Sequence, residues 1–184
     1  MALEATFRQL TTCFHELYEF VKQLQISMED KLDDNGPAVA LDLSDLTLKM
    51  MGFIHDAETS AVKAGHALRH PSDMDQVRRR LTVCQDKFHL IEQEYAANLL
   101  SYKKLRELAR VGGRSKEWGV WAGRAKQDIE QCRELLEKTS KALAACWQEL
   151  AERLGMLSIS VTTVGQKIHV PKSGSRDLDS EGVT

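Results

Sequence analysis

Residues 3–28 read LEATFRQLTTCFHELYEFVKQLQISM, and along them Leu3, Phe7, Leu10, Phe14, Leu17, Val21, Leu24 and Met28 recur at alternating spacings of four and three. That is a heptad seam, the pattern of a helix that lays one apolar stripe against helical neighbours. The helix stops at Asp33-Asp34-Asn35-Gly36-Pro37, where Gly and Pro cannot continue it. Working outward, the same period returns three times. A second helix is expected from about Asp42 or Ser44, carrying Leu43, Leu46, Met50, Phe53, Ala57, Ala61, Ala64 and Leu68. A third follows Pro71, with Ser72 and Asp75 as a capped start; its stripe runs from Met74 through Val77, Leu81, Cys84, Phe88, Ile91 and Tyr95. There it is expected to skip polar Asn98 and resume at Leu99, Tyr102 and Leu105, ending at Gly112-Gly113. A fourth, capped by Ser115, carries Trp118, Trp121, Ala125, Ile129, Cys132, Leu136, Leu143, Cys146, Leu150 and Leu154, and ends at Gly155.

The fold class is therefore all-α: an antiparallel up-down four-helix bundle over 1–155. Leu157, Ile159 and Val161 then alternate with polar residues, so 156–170 reads as an extended strand-like segment. The Gly-, Ser- and charge-rich stretch 171–184 reads as a disordered tail. At 1.5 Å per residue the first two helices span about 40 Å each and the last two about 60 Å each. The third and fourth helices should then protrude by roughly 20 Å as a hairpin. Its tip would carry Leu99, Tyr102, Leu105, Trp118 and Trp121 with basic residues that include Arg106 and Arg110. Aromatic residues beside Arg are the composition of binding hot spots, so these are the expected partner-binding residues, together with Leu157, Ile159 and Val161 on the strand. The competing reading is that the loop between Met28 and Asp42 covers the tip, or that the hairpin packs Trp on Tyr. Gly119 and Gly123, one turn apart, point to a close backbone approach.

Hydrophobic residues make up 42% of the 184, enough for a continuous core, and the formal net charge of -2 favours neither nucleic acid nor an anionic membrane. No apolar run has the length of a span or the form of a signal peptide, so a cytoplasmic protein is expected. Cys13, Cys84, Cys132 and Cys146 show no metal-ligand spacing and fall on or beside apolar stripes, as small buried thiols do. His15, His55 and His89 lie on three helices near carboxylates, but they flank the seams and lack the paired Glu-x-x-His arrangement of a di-metal bundle. No Gly-rich phosphate loop follows a strand, and a helical seam provides neither a strained nucleophile turn nor an oxyanion hole.

Trp121-Ala122-Gly123 resembles the WxG motif of small helical-hairpin secretion substrates. The Tyr with an acidic residue four positions later, which accompanies that motif in the family's second helix, does not follow Gly123 here. The expected function is a non-enzymatic interaction or scaffold subunit that docks another protein or its own copy, with no cofactor and no small-molecule substrate. A helical accessory protein touching nucleic acid through the basic tip is the runner-up, followed by a metal-binding bundle enzyme.

Overall fold

A computed structural model describes residues 2–31, 37–70 and 74–155. Five α-helices pack together: α1 (Ala2–Glu29), α2 (Ala38–Ala67), α3 (Met74–Glu107), α4 (Gly113–Arg124) and α5 (Lys126–Arg153), with a 3-10 turn at Leu108–Arg110. No described helix is long and apolar enough to cross a membrane. The strand-like segment with Leu157, Ile159 and Val161, and the tail after it, lie outside the described residues.

The first seam is buried throughout, from Leu3 to Met28. Cross-helix bonds fix the neighbours and their sense. Gln25 Nε2 donates to Ser44 Oγ at 3.0 Å, and His15 Nδ1 meets Glu58 Oε1 at 3.0 Å, so α1 and α2 run antiparallel. Thr47 Oγ1 donates to Asn98 Oδ1 at 2.9 Å and Ser60 Oγ to the Arg80 carbonyl at 3.0 Å, which sets α2 against α3 in the same way. Lys138 reaches Glu16 at 3.1 Å between α5 and α1, and the Tyr95 hydroxyl donates to the Ile129 carbonyl at 3.2 Å between α3 and α5. A large apolar core, including Phe14, Ile54, Leu81 and Leu143, is shared by α1, α2, α3 and α5.

Three expectations about the helices need correction. The second helix begins at Ala38, directly after Pro37 and ahead of Asp42 and Ser44, and Ser44 sits inside it as a buried acceptor. Asn98 does not leave the seam: it is buried, donating to the Glu94 carbonyl at 2.7 Å and accepting from Thr47. Its amide is satisfied on both sides, which removes the cost that would otherwise expel it. The fourth helix is not continuous. It starts at Gly113, ahead of Ser115, and is interrupted at Ala125, where Ala125 N still donates to the Trp121 carbonyl at 3.0 Å and Ile129 N to that of Ala125 at 3.1 Å. The result is a local offset between α4 and α5, and not a reversal.

These corrections remove the long overhang. α4 and α5 together keep the length read for one helix, but α2 starts at Ala38 and the end of α1 reaches α4, where Trp121 Nε1 donates to Ser27 Oγ at 3.3 Å and Lys31 lies 4.0 Å from Glu117, so α1 and α2 flank the hairpin. A second apolar cluster fills that end. Leu24 and Met28 of α1 and Ala40 and Leu43 of α2 close around Tyr102 and Leu105 of α3, with Trp118, Ala122, Ala125 and Ile129. The turn into α4 uses Gly112 and Gly113 at φ of +85° and +65°, a backbone that L side chains resist.

Candidate functional site

The residues expected at a protruding tip do come together, but most face inward. Tyr102, Leu105 and Trp118 are buried, with 4% or less of their surface exposed, and Trp121 is half-buried. Trp121 stacks on Tyr102 with ring centroids 5.6 Å apart and meets Trp118 edge-on at 5.5 Å. Its Nε1 donates to Ser27 Oγ at 3.3 Å, while Lys31 lies 5.7 Å from the Trp118 ring centre. The aromatic group therefore plugs the end of the bundle, joining α4 to α1 and α3. As a docking surface the Trp118, Tyr102 and Leu105 side chains are unavailable, because their apolar area is already spent on Met28, Leu24 and Leu43. Of the WxG-like triplet, Ala122 is buried in this plug, whereas Gly123 has no atom near the place of a Cβ.

Gly119 holds α4 in place. A Cβ there would lie 2.6 Å from Ala109 Cα and 2.7 Å from Ala109 Cβ, and would also strike Ala109 N. The backbones of α4 and the 3-10 turn therefore touch directly. Of the two glycines that pointed to a close approach, only Gly119 makes one.

What remains outside is charge. Between Leu99 and Arg133 the sequence has nine basic and four acidic residues, in a chain of formal net charge -2. Lys103, Lys104, Arg110, Lys116, Arg124, Lys126 and Arg133 are exposed, and Arg106 is half-exposed. Val111 and Val120 stand among them, with 73% and 41% of their surface open.

On one side of this end, α3 and the α4–α5 junction enclose a cavity of about 210 Å³. Leu99, Ala122, Ile129 and the rings of Tyr95 and Tyr102 form its apolar wall, and Lys103, Arg106, Lys126, Arg133 and Glu130 its charged part. The Tyr95 hydroxyl is bonded to the Ile129 carbonyl, but the Tyr102 hydroxyl is sealed from solvent and has no hydrogen-bond partner. Burial pushes the Tyr102 phenol far above its ordinary range, and the nearby Cys132 and Asp128 push it further, so it keeps its proton. None of the four cations makes an ion pair among the described residues. Leu99, Tyr102 and Arg106 are legible in the sequence as site residues; Ile129 is legible only as part of the apolar stripe, and Lys126 and Arg133 not at all, because exposed cations on a helix carry no pattern of their own.

Elsewhere the chemistry is quiet. All four cysteines are buried free thiols, and burial pushes Cys84 and Cys132 up to about 12. Cys146 is raised by burial first and then by the proximity of Cys84 and Cys13, so one core layer brings together thiols that stand far apart in sequence. His15 pairs with Glu58, His55 leans on Tyr18 at 6.1 Å, and His89 lies 3.5 Å from Glu92. Among the described residues, no three His, Cys, Asp or Glu side chains assemble as metal ligands. Comparison with protein families, with curated proteins and with solved structures finds no match for this chain.

Proposed function

We propose that this chain is a non-enzymatic interaction module: an up-down body of α1, α2, α3 and α5 that presents a basic end, finished by α4, to an acidic segment of another protein. The observation that supports it is the sorting of side chains at that end. The aromatics turn inward as a plug, while Lys104, Arg110, Lys116 and Arg124 stay exposed around Val111 and Val120. Apolar spots among predominantly basic side chains suit a segment that mixes carboxylates with apolar anchors. Four buried thiols suit a reducing, cytoplasmic setting. Pairing of Leu157, Ile159 and Val161 with another chain's sheet is part of the same proposal and rests on sequence alone.

The nucleic-acid reading is weaker at this end. Single strands are held by stacking on exposed aromatics as well as by charge, and Tyr102 and Trp118 are buried. The test compares a synthetic Glu/Leu-rich peptide with a DNA duplex and a single strand, using wild type and the triple variant Lys104→Glu, Arg110→Glu, Lys116→Glu. The peptide should bind in preference to either nucleic acid, and the triple variant should lose it. Tighter binding of a nucleic acid, with a steep inverse dependence on salt, would reverse the assignment.

A further inference from the structure

The cavity between α3 and the α4–α5 junction has features that docking at the basic end does not use. It is lined by Leu99, Ala122 and Ile129 yet edged by Lys103, Arg106, Lys126 and Arg133, none of them ion-paired among the described residues. Against its wall stands Tyr102, with a hydroxyl that is buried and unpartnered. That hydroxyl is closed off from the hollow as well as from solvent, so an acceptor bound in the cavity meets the groups at its edge. Unpaired cations around an apolar hollow set the charge of that acceptor. The size fits a small occupant: about 210 Å³ exceeds the roughly 150 Å³ that accommodates a benzene ring, leaving room for one acid group beside it.

We propose that this cavity binds a small organic carboxylate with a single-ring apolar body, held by Arg106 and Lys126. The ring lies against Leu99, Ala122 and Ile129. A carboxylate fits better than a phosphate ester, because beside a ring in about 210 Å³ there is room for the smaller, planar group. Since Tyr102 stacks on Trp121, which is bonded to Ser27 of α1, an occupant would brace the plug that holds α4 to the bundle.

The test uses fluorine NMR on the full chain with 4-fluorobenzoate as probe, and 4-fluorobenzyl alcohol and 4-fluorophenyl phosphate as comparisons. The benzoate signal should broaden with wild-type protein and sharpen again on adding unlabelled benzoate, and the alcohol should bind at least tenfold more weakly. Arg106→Gln with Lys126→Gln should weaken benzoate at least tenfold. Leu99→Trp, which fills the hollow from its half-exposed edge, should abolish binding while the helical circular dichroism is kept. Equal affinity for the alcohol, preference for the phosphate, or full binding by the Arg106/Lys126 variant would each overturn the proposal. None of these substitutions is among the Lys104, Arg110 and Lys116 changes that test peptide docking, so either proposal can fail alone.

Discussion

Replacing Gly119 by alanine should destabilise the protein, although alanine is the better helix former. Glycine inside a helix costs about 1 kcal/mol against alanine, so an exposed helical site would gain by that amount. At Gly119 the added methyl meets the backbone of Ala109, including its Cα at 2.6 Å, and no side-chain rotation can relieve a clash with main chain. Overpacking of this kind costs about 1–3 kcal/mol, and the upper half of that range applies when the obstacle is backbone. The net loss is then about 1–2 kcal/mol. If α4 lifts away altogether, the loss grows toward the ~3–5 kcal/mol expected for unburying Trp118. Gly123, one turn on, has nothing within 4 Å of a built Cβ, so Gly123→Ala should gain about 0.5–1 kcal/mol. Urea unfolding of the two variants, followed by tryptophan fluorescence, should separate them by about 2–3 kcal/mol with opposite signs. A Gly119→Ala protein as stable as Gly123→Ala would refute the contact between α4 and the 3-10 turn.

Trp118→Ala should cost about 3–5 kcal/mol in the same assay, and Trp121→Ala, half-buried, less than half of that; equal and negligible costs would put both rings back on an exposed docking surface. Asn98→Ala should cost about 1–3 kcal/mol by leaving Thr47 short of one partner and opening a gap, whereas Thr47→Val combined with Asn98→Leu should recover much of it, as thermal melting would show. Cys84 and Cys132 rise from 9.0 to about 12 on burial, so the folded state holds their protons more tightly than the unfolded chain does. That stability is whole below about pH 9 and is lost as pH climbs toward 12, by up to about 1.4 kcal/mol per unit for each thiol. Stability measured across that range should fall steeply in wild type and less so in a Cys84→Ala, Cys132→Ala double variant. Native protein at pH 8 should leave all four thiols unreactive to a thiol reagent, and denatured protein should expose four.

The seam of α1 is legible because its stripe is uninterrupted, and every residue read from it is buried. In α2 the stripe is ambiguous. Phe53 and Ile54 are adjacent apolar residues and only one can face the centre; Ile54 does, while Phe53 is half-buried under Lys87. Asn98 reads as a gap in the stripe because polarity suggests exposure, and its partner Thr47 is on another helix, invisible to any window of sequence. Trp147, buried beside Cys146, was passed over for the same kind of reason: both neighbours fit the period. The hairpin does not protrude because the second helix begins at Ala38, and Leu24, Met28, Ala40 and Leu43 pack on Tyr102, Leu105 and Trp118, contacts between helices that no helix length reveals. Of the residues that line the cavity, Leu99, Tyr102 and Arg106 of α3 stand out in the sequence, whereas Lys126 and Arg133 of α5 do not.

The buried polar contact of Thr47 with Asn98 lies between the two apolar clusters, and that of Gln25 with Ser44 beside Leu24 and Leu43 of the second. An apolar seam of leucine, isoleucine and alanine is nearly indifferent to sliding by one heptad, since each position meets another of similar kind. Two cross-helix amide–hydroxyl pairs are not indifferent. Sliding α2 along α3 or α1 by a turn would set Asn98 or Gln25 against an alkyl group, at about 1–3 kcal/mol for each group left unbonded. The layer thus acts as an index mark along otherwise degenerate helices, selecting the single alignment in which Leu43 reaches Leu105 and the end of the bundle can close.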